Sequence, residues 1–371
     1  MLSAYAARSH VHWQRILVAM CSHWRWRELS LPPRHFSWRV RGNPLYWSQV
    51  ERAALAERYD LLVATSMVDL ATLRGLVPSL ATVPALLYFH ENQFAYPRQA
   101  QQSSLLEAQM VSLYSALAAD VLAFNSAYNR DSFVAGVAAL LGRLPDRVPP
   151  GVTQQLLDKA TVLPVPIELE TGGAVAAAWP GTPGEPGGRP LRLLWSGRFE
   201  HDKGGEGLLH LLRELERRGL AYELALTGQQ FRNSPAVFTR IEREFGHRLV
   251  HFGFIESAAA LQSLRQGADM VLATALHEFQ GLAVLEAVAN GCLPVVPDRL
   301  CYPEIYPPQF RYRSLLAEPE AEAAAAASLV QRLAPMLGQG DSPHPDISAY
   351  GRTRLQPRYM ALQQHLAGVA G

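Results

Sequence analysis

Short apolar runs alternate with helix-period stretches along the whole chain. Asp60-Leu-Leu-Val-Ala-Thr65, Ala85-Leu-Leu-Tyr-Phe-His90 and Asp120-Val-Leu-Ala-Phe-Asn125 each read as a buried strand, and residues 48–58 and 104–118 read as helices. Runs of this kind, bounded by turn residues and separated by helices, predict a parallel sheet. The Pro/Gly-rich stretch Trp179–Pro190 holds neither a helix nor a central strand and reads as a linker. Beyond it the pattern restarts, with strands at Leu191–Ser196, Tyr222–Thr227, Arg248–Phe252, Asp269–Ala273 and Leu293–Val296. Leu208, Leu211, Leu212 and Leu215 share one helical face. Gly219 ends that helix and Asn290-Gly291 ends another. Residues 320–328 and 347–369 also read as helix.

The expectation is an α/β protein of two Rossmann-like, doubly wound domains. They span residues 1–175 and 191–345, with a linker at 176–190, a C-terminal helix at 346–371 and a cleft between the domains. Ligands of such sheets bind beyond the carboxyl ends of the strands.

Composition bounds the function. Apolar residues make up 49% of 371 positions, enough for two cores and far from a disordered composition. A net charge of +1 excludes a polyelectrolyte binder as a whole. The charge is uneven, though. Residues 1–50 hold seven Arg against one acid, Glu28, together with five of the seven Trp. Arginines attract phosphates and tryptophans offer stacking faces to unpaired bases, so this segment suggests RNA; the alternative is core Trp and solvated Arg. Three cysteines form neither a disulfide framework nor a zinc pattern, which suggests a reducing compartment. No apolar run reaches membrane-spanning length, and Met1–His10 lacks the apolar core of a signal peptide. A soluble, cytoplasmic protein without a membrane partner is expected.

Three segments carry candidate chemistry. Gly197-Arg198-Phe-Glu-His-Asp-Lys203-Gly204 follows a strand and opens a helix, which places two cations beside free N–H groups and suits a diphosphate. His277-Glu278-Phe-Gln280-Gly281-Leu282-Ala-Val-Leu-Glu286 sets two carboxylates about two helical turns apart around a glycine that lets a phosphate approach the backbone. Tyr88-Phe-His90-Glu91-Asn92-Gln93 ends a strand with a dense polar row. Each has a plainer alternative: a solvated βα loop, a surface helix with two solvated acids, and a capped helix start. There is no D-x-D pair to hold a divalent ion under a nucleotide-sugar, no G-x-G-x-x-G or Walker sequence, and no H-E-x-x-H. No metal or cofactor is expected.

At these residues the chain resembles a known family. The order GR-x4-KG and E-x7-E is similar to the signature of retaining GT-B glycosyltransferases that use nucleoside-diphosphate sugars. Leu31–Gly42, Ser66–Leu70, Leu87–Pro97, Phe124-Asn-Ser126 and Pro297–Tyr306 further resemble the tRNA-queuosine α-mannosyltransferases. The resemblance implies a GT-B fold and transfer of mannose from GDP-mannose to queuosine at the wobble position of a tRNA, with retention and without metal. It implies that Gly197, Arg198, Lys203, Glu278, Gln280, Gly281, Leu282 and Glu286 bind the donor. Of these, Arg198 and Lys203 would neutralise the diphosphate, Glu278 would hold the sugar and Glu286 the ribose. His90 would lie near the sugar face, and Ser9, His10, Glu91, Asn92, Gln93 and Asn125 on the acceptor side, where the arginine- and tryptophan-rich start adds Arg34, Trp38, Arg39 and Arg41 as candidate tRNA contacts. Where the family carries Gly-Gly-Ser-His, this chain has Ala7-Arg8-Ser9-His10, and Gln280 replaces an aromatic residue. Two other functions fit the same residues: a GT-B transferase with a lipid or small-glycan acceptor, and a non-catalytic RNA-binding protein on a transferase scaffold.

Overall fold

The structure is a computed structural model and describes residues 1–95, 105–169, 179–338 and 343–369. The chain divides into two compact units, one of Met1–Pro166 with Arg352–Gly371 and one of Ile167–Gly351.

The sheet of the first unit contains β1 (Leu2–Ser3), β2 (Leu29–Ser30), β3 (Leu62–Thr65), β4 (Ala85–Phe89), β5 (Val121–Phe124) and β6 (Ala160–Val162), in the order β2-β1-β3-β4-β5-β6. Every pairing is parallel. The three strands read from the sequence are its middle, and all of their residues are buried. Helices cover both faces of a parallel sheet, so its central strands carry no polar alternation. β1 and β2 are two residues long, too short to leave a pattern.

The helix expected at 48–58 is displaced. The chain is helical over Phe36–Val50, breaks at Glu51 and resumes for Arg52–Leu55. Pro44 lies inside the longer helix and has no N–H to give Val40. Asn43 compensates, its amide donating to the carbonyls of Val40 at 3.0 Å and Arg39 at 2.8 Å. The C-terminal helix Arg352–Val369 belongs to this first unit. Tyr359 anchors it: its hydroxyl accepts from the Trp13 indole at 3.0 Å and donates to the Pro164 carbonyl at 2.9 Å.

The second unit repeats the scheme with β7 (Leu191–Ser196), β8 (Tyr222–Thr227), β9 (Leu249–Gly253), β10 (Met270–Leu272), β11 (Leu293–Pro297) and β12 (Arg311–Tyr312). Their order is β12-β11-β10-β7-β8-β9, again parallel throughout. Helix Gly205–Arg217 buries Leu208, Leu209, Leu211, Leu212 and Leu215. Both expected helix stops are present, at left-handed Gly219 (φ 67°) and Gly291 (φ 100°).

The described part of the expected linker is not one. Trp179–Pro190 lies within the second unit. The Trp179 indole donates to Glu223 at 2.6 Å, and Arg189 makes a buried two-pronged pair with Asp269 at 2.6 and 2.9 Å. Proline and glycine deny this stretch regular structure, but its side chains still fasten it. The division falls after Pro166. Residues 176–178 lie outside the described set.

Candidate active site

β7 and β10 are neighbours in the second sheet, so the loops leaving their carboxyl ends are brought together. After β7, Gly197 packs tightly enough that a β-carbon on Gly228 would stand 1.7 Å from its carbonyl oxygen. Arg198 is half-exposed and pairs with Glu200 at 2.9 Å. The turn His201–Lys203 docks on the loop that follows β10. Leu276 and His277 donate their backbone N–H to the Asp202 carbonyl at 2.9 and 3.1 Å, and the Thr274 hydroxyl donates to the Lys203 carbonyl at 3.2 Å. Gly204 closes the turn with φ 72°, and any β-carbon there would meet the Thr274 carbonyl oxygen at 1.9 Å. Only glycine fits.

The docking delivers Lys203 to Glu278. The ammonium lies 3.1 Å from Glu278 Oε2, 3.3 Å from the His277 carbonyl and 3.3 Å from Asp202. Burial works against the charge on Lys203, but Glu278 and Asp202 outweigh it and raise its pKa. Burial likewise works against the Glu278 carboxylate. The Lys203 charge and hydrogen bond, with backbone N–H groups of Gly281 and Phe279, still leave its pKa lowered. Left-handed Gly281 (φ 69°) caps helix Leu282–Ala289 beside this pair, and Leu282 is its first residue. Gln280 is buried next to it. Lys203, Glu278 and the N-terminus of that helix thus lie together, with the ammonium held between the Glu278 and Asp202 carboxylates. Lys203 and Glu278 are less exposed than the cleft-lining side chains expected from the sequence. Glu286, expected at a ribose, is ion-paired with Arg265.

In the first unit, the loops after β1, β3, β4 and β5 gather at one end of the sheet. His10, on helix Arg8–Met20, and His90, at the end of β4, are buried and stacked with ring centroids 4.2 Å apart. Trp13 meets His90 edge-on at 5.0 Å. Burial lowers the His10 pKa to about 4. Burial, then the nearness of His10 and His12, holds His90 well below the ordinary histidine value. Both rings are neutral near pH 7. Ser9 is half-buried beside them.

The polar row after β4 is largely internal scaffolding. The Asn92 amide donates to the Asn129 side chain at 2.8 Å and to Ser132 at 2.9 Å, while its oxygen accepts from the N–H groups of Phe94 and Ala95. Asn125 donates to the His90 carbonyl at 2.8 Å and accepts from Asn129 at 2.8 Å. The Gln93 carbonyl accepts from Gln109, and its amide lies 3.8 Å from the Met67 sulfur. The Glu91 carbonyl accepts from Ser66 at 3.2 Å, and its side chain is only partly buried. Asn92, Asn125 and Gln93 therefore shape the site, as buried amides must find partners. Arg34 and Trp38 are exposed. Arg41 is paired with Asp69 at 2.7 Å and Glu107 at 3.3 Å. Among the described residues no group of three His, Cys, Asp or Glu is arranged to hold a metal ion, and no helix is long and apolar enough to cross a membrane.

Comparison with known proteins resolves the family. Residues 1–167 match the description "tRNA-queuosine alpha-mannosyltransferase N-terminal", and residues 184–334 match "Glycosyl transferases group 1". A Drosophila melanogaster tRNA-queuosine alpha-mannosyltransferase is 33% identical over 315 residues, 85% of this chain and 83% of that protein. The chain belongs to the tRNA-queuosine alpha-mannosyltransferase family. It is a glycosyltransferase by the same matches. Its fold is shared with a Rickettsia africae glycosyltransferase (TM-score 0.58, 12% identity, 91% of this chain, 84% of that one). It is shared equally with a lipopolysaccharide outer core galactosyltransferase (TM-score 0.57, 14% identity, 91% and 84%).

Against the family pattern, the Ala7–His10 turn forms without glycine. Ala7 has φ −63° and ψ 162°, ordinary extended backbone, and β1 is present before it. Sequence reasoning did not single out Arg299 within the Pro297–Tyr306 segment. Its guanidinium donates to the carbonyls of Ala275 at 3.0 Å and Thr274 at 3.4 Å and is held from behind by Glu322 at 2.8 Å. It thereby braces the loop that carries Glu278. Its partners are distant in sequence, so no local pattern announces it.

Proposed function

We propose that the protein transfers mannose from GDP-mannose to the queuosine of a tRNA anticodon wobble position, with retention and without a metal ion. The observation that carries this reading is the convergence of Lys203, Glu278 and the N-terminus of helix Leu282–Ala289 in a member of this family. The carboxylate of Glu278 already accepts from Lys203 and from the first N–H groups of that turn. An ammonium and backbone N–H groups are the donor types that a diphosphate takes, and in this reading the arriving diphosphate draws on them together with Arg198.

In this reading Lys203, the helix N-terminus and Arg198 bear the charge that develops on the departing GDP. The anomeric carbon–phosphate oxygen bond breaks and its electron pair stays with the phosphate. A queuosine hydroxyl oxygen attacks from the same face, so the configuration is retained. The proton of that hydroxyl passes to the leaving phosphate oxygen. Glu278 hydrogen-bonds the sugar hydroxyls. Glu286, held by Arg265, keeps a free carboxylate lone pair for the ribose. Neutral His10 and His90 bring no positive charge of their own to the end of the sheet where they stack.

The donor half is tested by melting the protein with GDP, UDP, GDP-mannose and UDP-sugars. Binding to the native state alone raises the melting temperature, through a stabilisation that grows with the logarithm of ligand concentration over Kd. The reading expects guanine ligands to protect wild type and to lose that protection in Lys203→Ala. Protection by uridine ligands alone would remove GDP-mannose as donor.

A further inference from the structure

Helix Phe36–Val50 is buried along one side and open to solvent along the other. Val40, Asn43, Pro44, Trp47 and Ser48 are buried. Trp38, Leu45, Tyr46 and Val50 are 58%, 55%, 43% and 60% exposed. At 100° per residue these four fall on one outward arc, so they form a contiguous apolar and aromatic stripe. Stripes of this kind mark interaction surfaces.

Two features say what the stripe fits. The first is the setting of Trp38. A β-carbon on Gly42, one turn on, would stand 2.5 Å from the Trp38 ring. The indole therefore lies over a residue with no side chain, flat on the helix, with its outer face open. A flat, preset aromatic face is what a nucleobase stacks on. The second is charge. Helix Phe36–Val50 contains no acidic residue, while Arg34, Arg39 and Arg41 interleave with the stripe. Arg41 is taken up by Asp69 and Glu107. Arg34 and Arg39 have no acidic partner within ion-pair distance among the described residues.

We propose that this face docks unpaired RNA of the acceptor tRNA, with Trp38 and Tyr46 as stacking platforms and Arg34 and Arg39 as phosphate contacts. This rests on the queuosine-tRNA reading and deepens it. A second copy of the chain fits the face poorly, because a two-fold interface sets a patch against itself and would oppose arginine to arginine with no acid on the helix. The location agrees: the helix lies in residues 1–167, the part matched by the family's own description, whereas residues 184–334 match a general glycosyltransferase description.

The test measures the affinity of full-length queuosine-containing tRNA, and of a synthetic anticodon stem-loop, at several salt concentrations. Wild type, Trp38→Ala, Trp38→Phe, Tyr46→Ala, Arg34→Ala/Arg39→Ala and Arg41→Ala are compared, with GDP-mannose affinity and melting temperature as controls of folding. Trp38→Ala weakens binding about 5- to 150-fold, the range for losing one stacked base, and Trp38→Phe restores most of it. The double arginine variant flattens the slope of log K against log salt by roughly 1.5, while Arg41→Ala leaves it nearly unchanged. Trp38→Ala within twofold of wild type, with an unchanged slope in the double variant, overturns the surface while mannosyl transfer by wild type still upholds the function. Wild-type dimers that Trp38→Ala dissociates without loss of RNA affinity overturn it in favour of self-association. Wild type that binds no tRNA at all overturns the acceptor reading itself.

Discussion

The Lys203 ammonium stands 3.1 Å from Glu278 Oε2, although the two residues are 75 positions apart in sequence. Each keeps the other charged against the cost of burial. Under the proposed function, a diphosphate arriving at the helix N-terminus would meet a cation already fixed in place, so little reorganisation would be needed during reaction.

Lys203→Ala should lower kcat by about 10²–10³, the effect of losing one preorganised charge at the leaving group. It should also cost about 1–3 kcal/mol of stability, because Glu278 is left partly buried without its cation. Arg198→Ala should show a kinetic defect with little loss of stability, since its side chain is half-exposed and on the surface. Steady-state kinetics and urea unfolding on both variants check the contrast. Wild-type kcat in Lys203→Ala would take that residue out of the mechanism.

Turnover should be unchanged in excess chelator. Under the proposed function, Lys203, Arg198 and the N–H groups at Gly281 would take the part a divalent ion plays elsewhere. Activity that vanishes with chelator and returns with magnesium or manganese would contradict those roles.

The stacked pair His10 and His90 predicts an acid-labile first unit. The folded pKa of His10 is depressed from 6.5 to about 4. Above pH 6.5 the folded and unfolded states both hold it neutral. As pH falls from about 6.5 to about 4, only the unfolded state takes up the proton, so stability is lost across that window. At about 1.4 kcal/mol per unit this amounts to roughly 3 kcal/mol for His10. His90 shifts in the same direction and adds to the loss. Urea midpoints of wild type and His10→Gln, measured from pH 7.5 to 4, should converge as pH falls. Parallel curves would mean that the pair does not titrate as described.

Two glycines with the same backbone sign should respond differently to alanine. At Gly204 (φ 72°) the β-carbon meets the Thr274 carbonyl oxygen at 1.9 Å, while at Gly219 (φ 67°) nothing lies within 4 Å. Gly219→Ala should cost only the left-handed penalty of about 1–2 kcal/mol. Gly204→Ala must also push the Lys203 turn off the Glu278 loop, so it should cost more and lower kcat. Equal melting temperatures for the two variants would deny that docking.

Much of this was legible in the sequence because parallel sheets are buried on both faces. Leu62–Thr65, Ala85–Phe89, Val121–Phe124 and the five longer strands of the second unit stand out as apolar runs. The two-residue strands Leu2–Ser3, Leu29–Ser30 and Arg311–Tyr312 do not, since they have no room for a pattern. Helix Phe36–Val50 was hidden by Pro44, whose cost is offset by Asn43, a contact sequence does not show. The site followed the same rule. Lys203 and Glu278 were legible as loop residues after strands. That Lys203 and Glu278 pair, that Glu286 is held by Arg265, and that Asn92 and Asn125 brace the loop rather than reach outward depend on partners distant in the chain.

The central claim is tested most directly by mass spectrometry of nucleosides from queuosine-containing tRNA incubated with the protein and GDP-mannose. The account predicts that queuosine is replaced by a nucleoside one hexose heavier, α-linked, in chelator, and that tRNA lacking queuosine is unchanged. Queuosine left intact under GDP-mannose, or glycosylated only from a different nucleotide sugar, would contradict it.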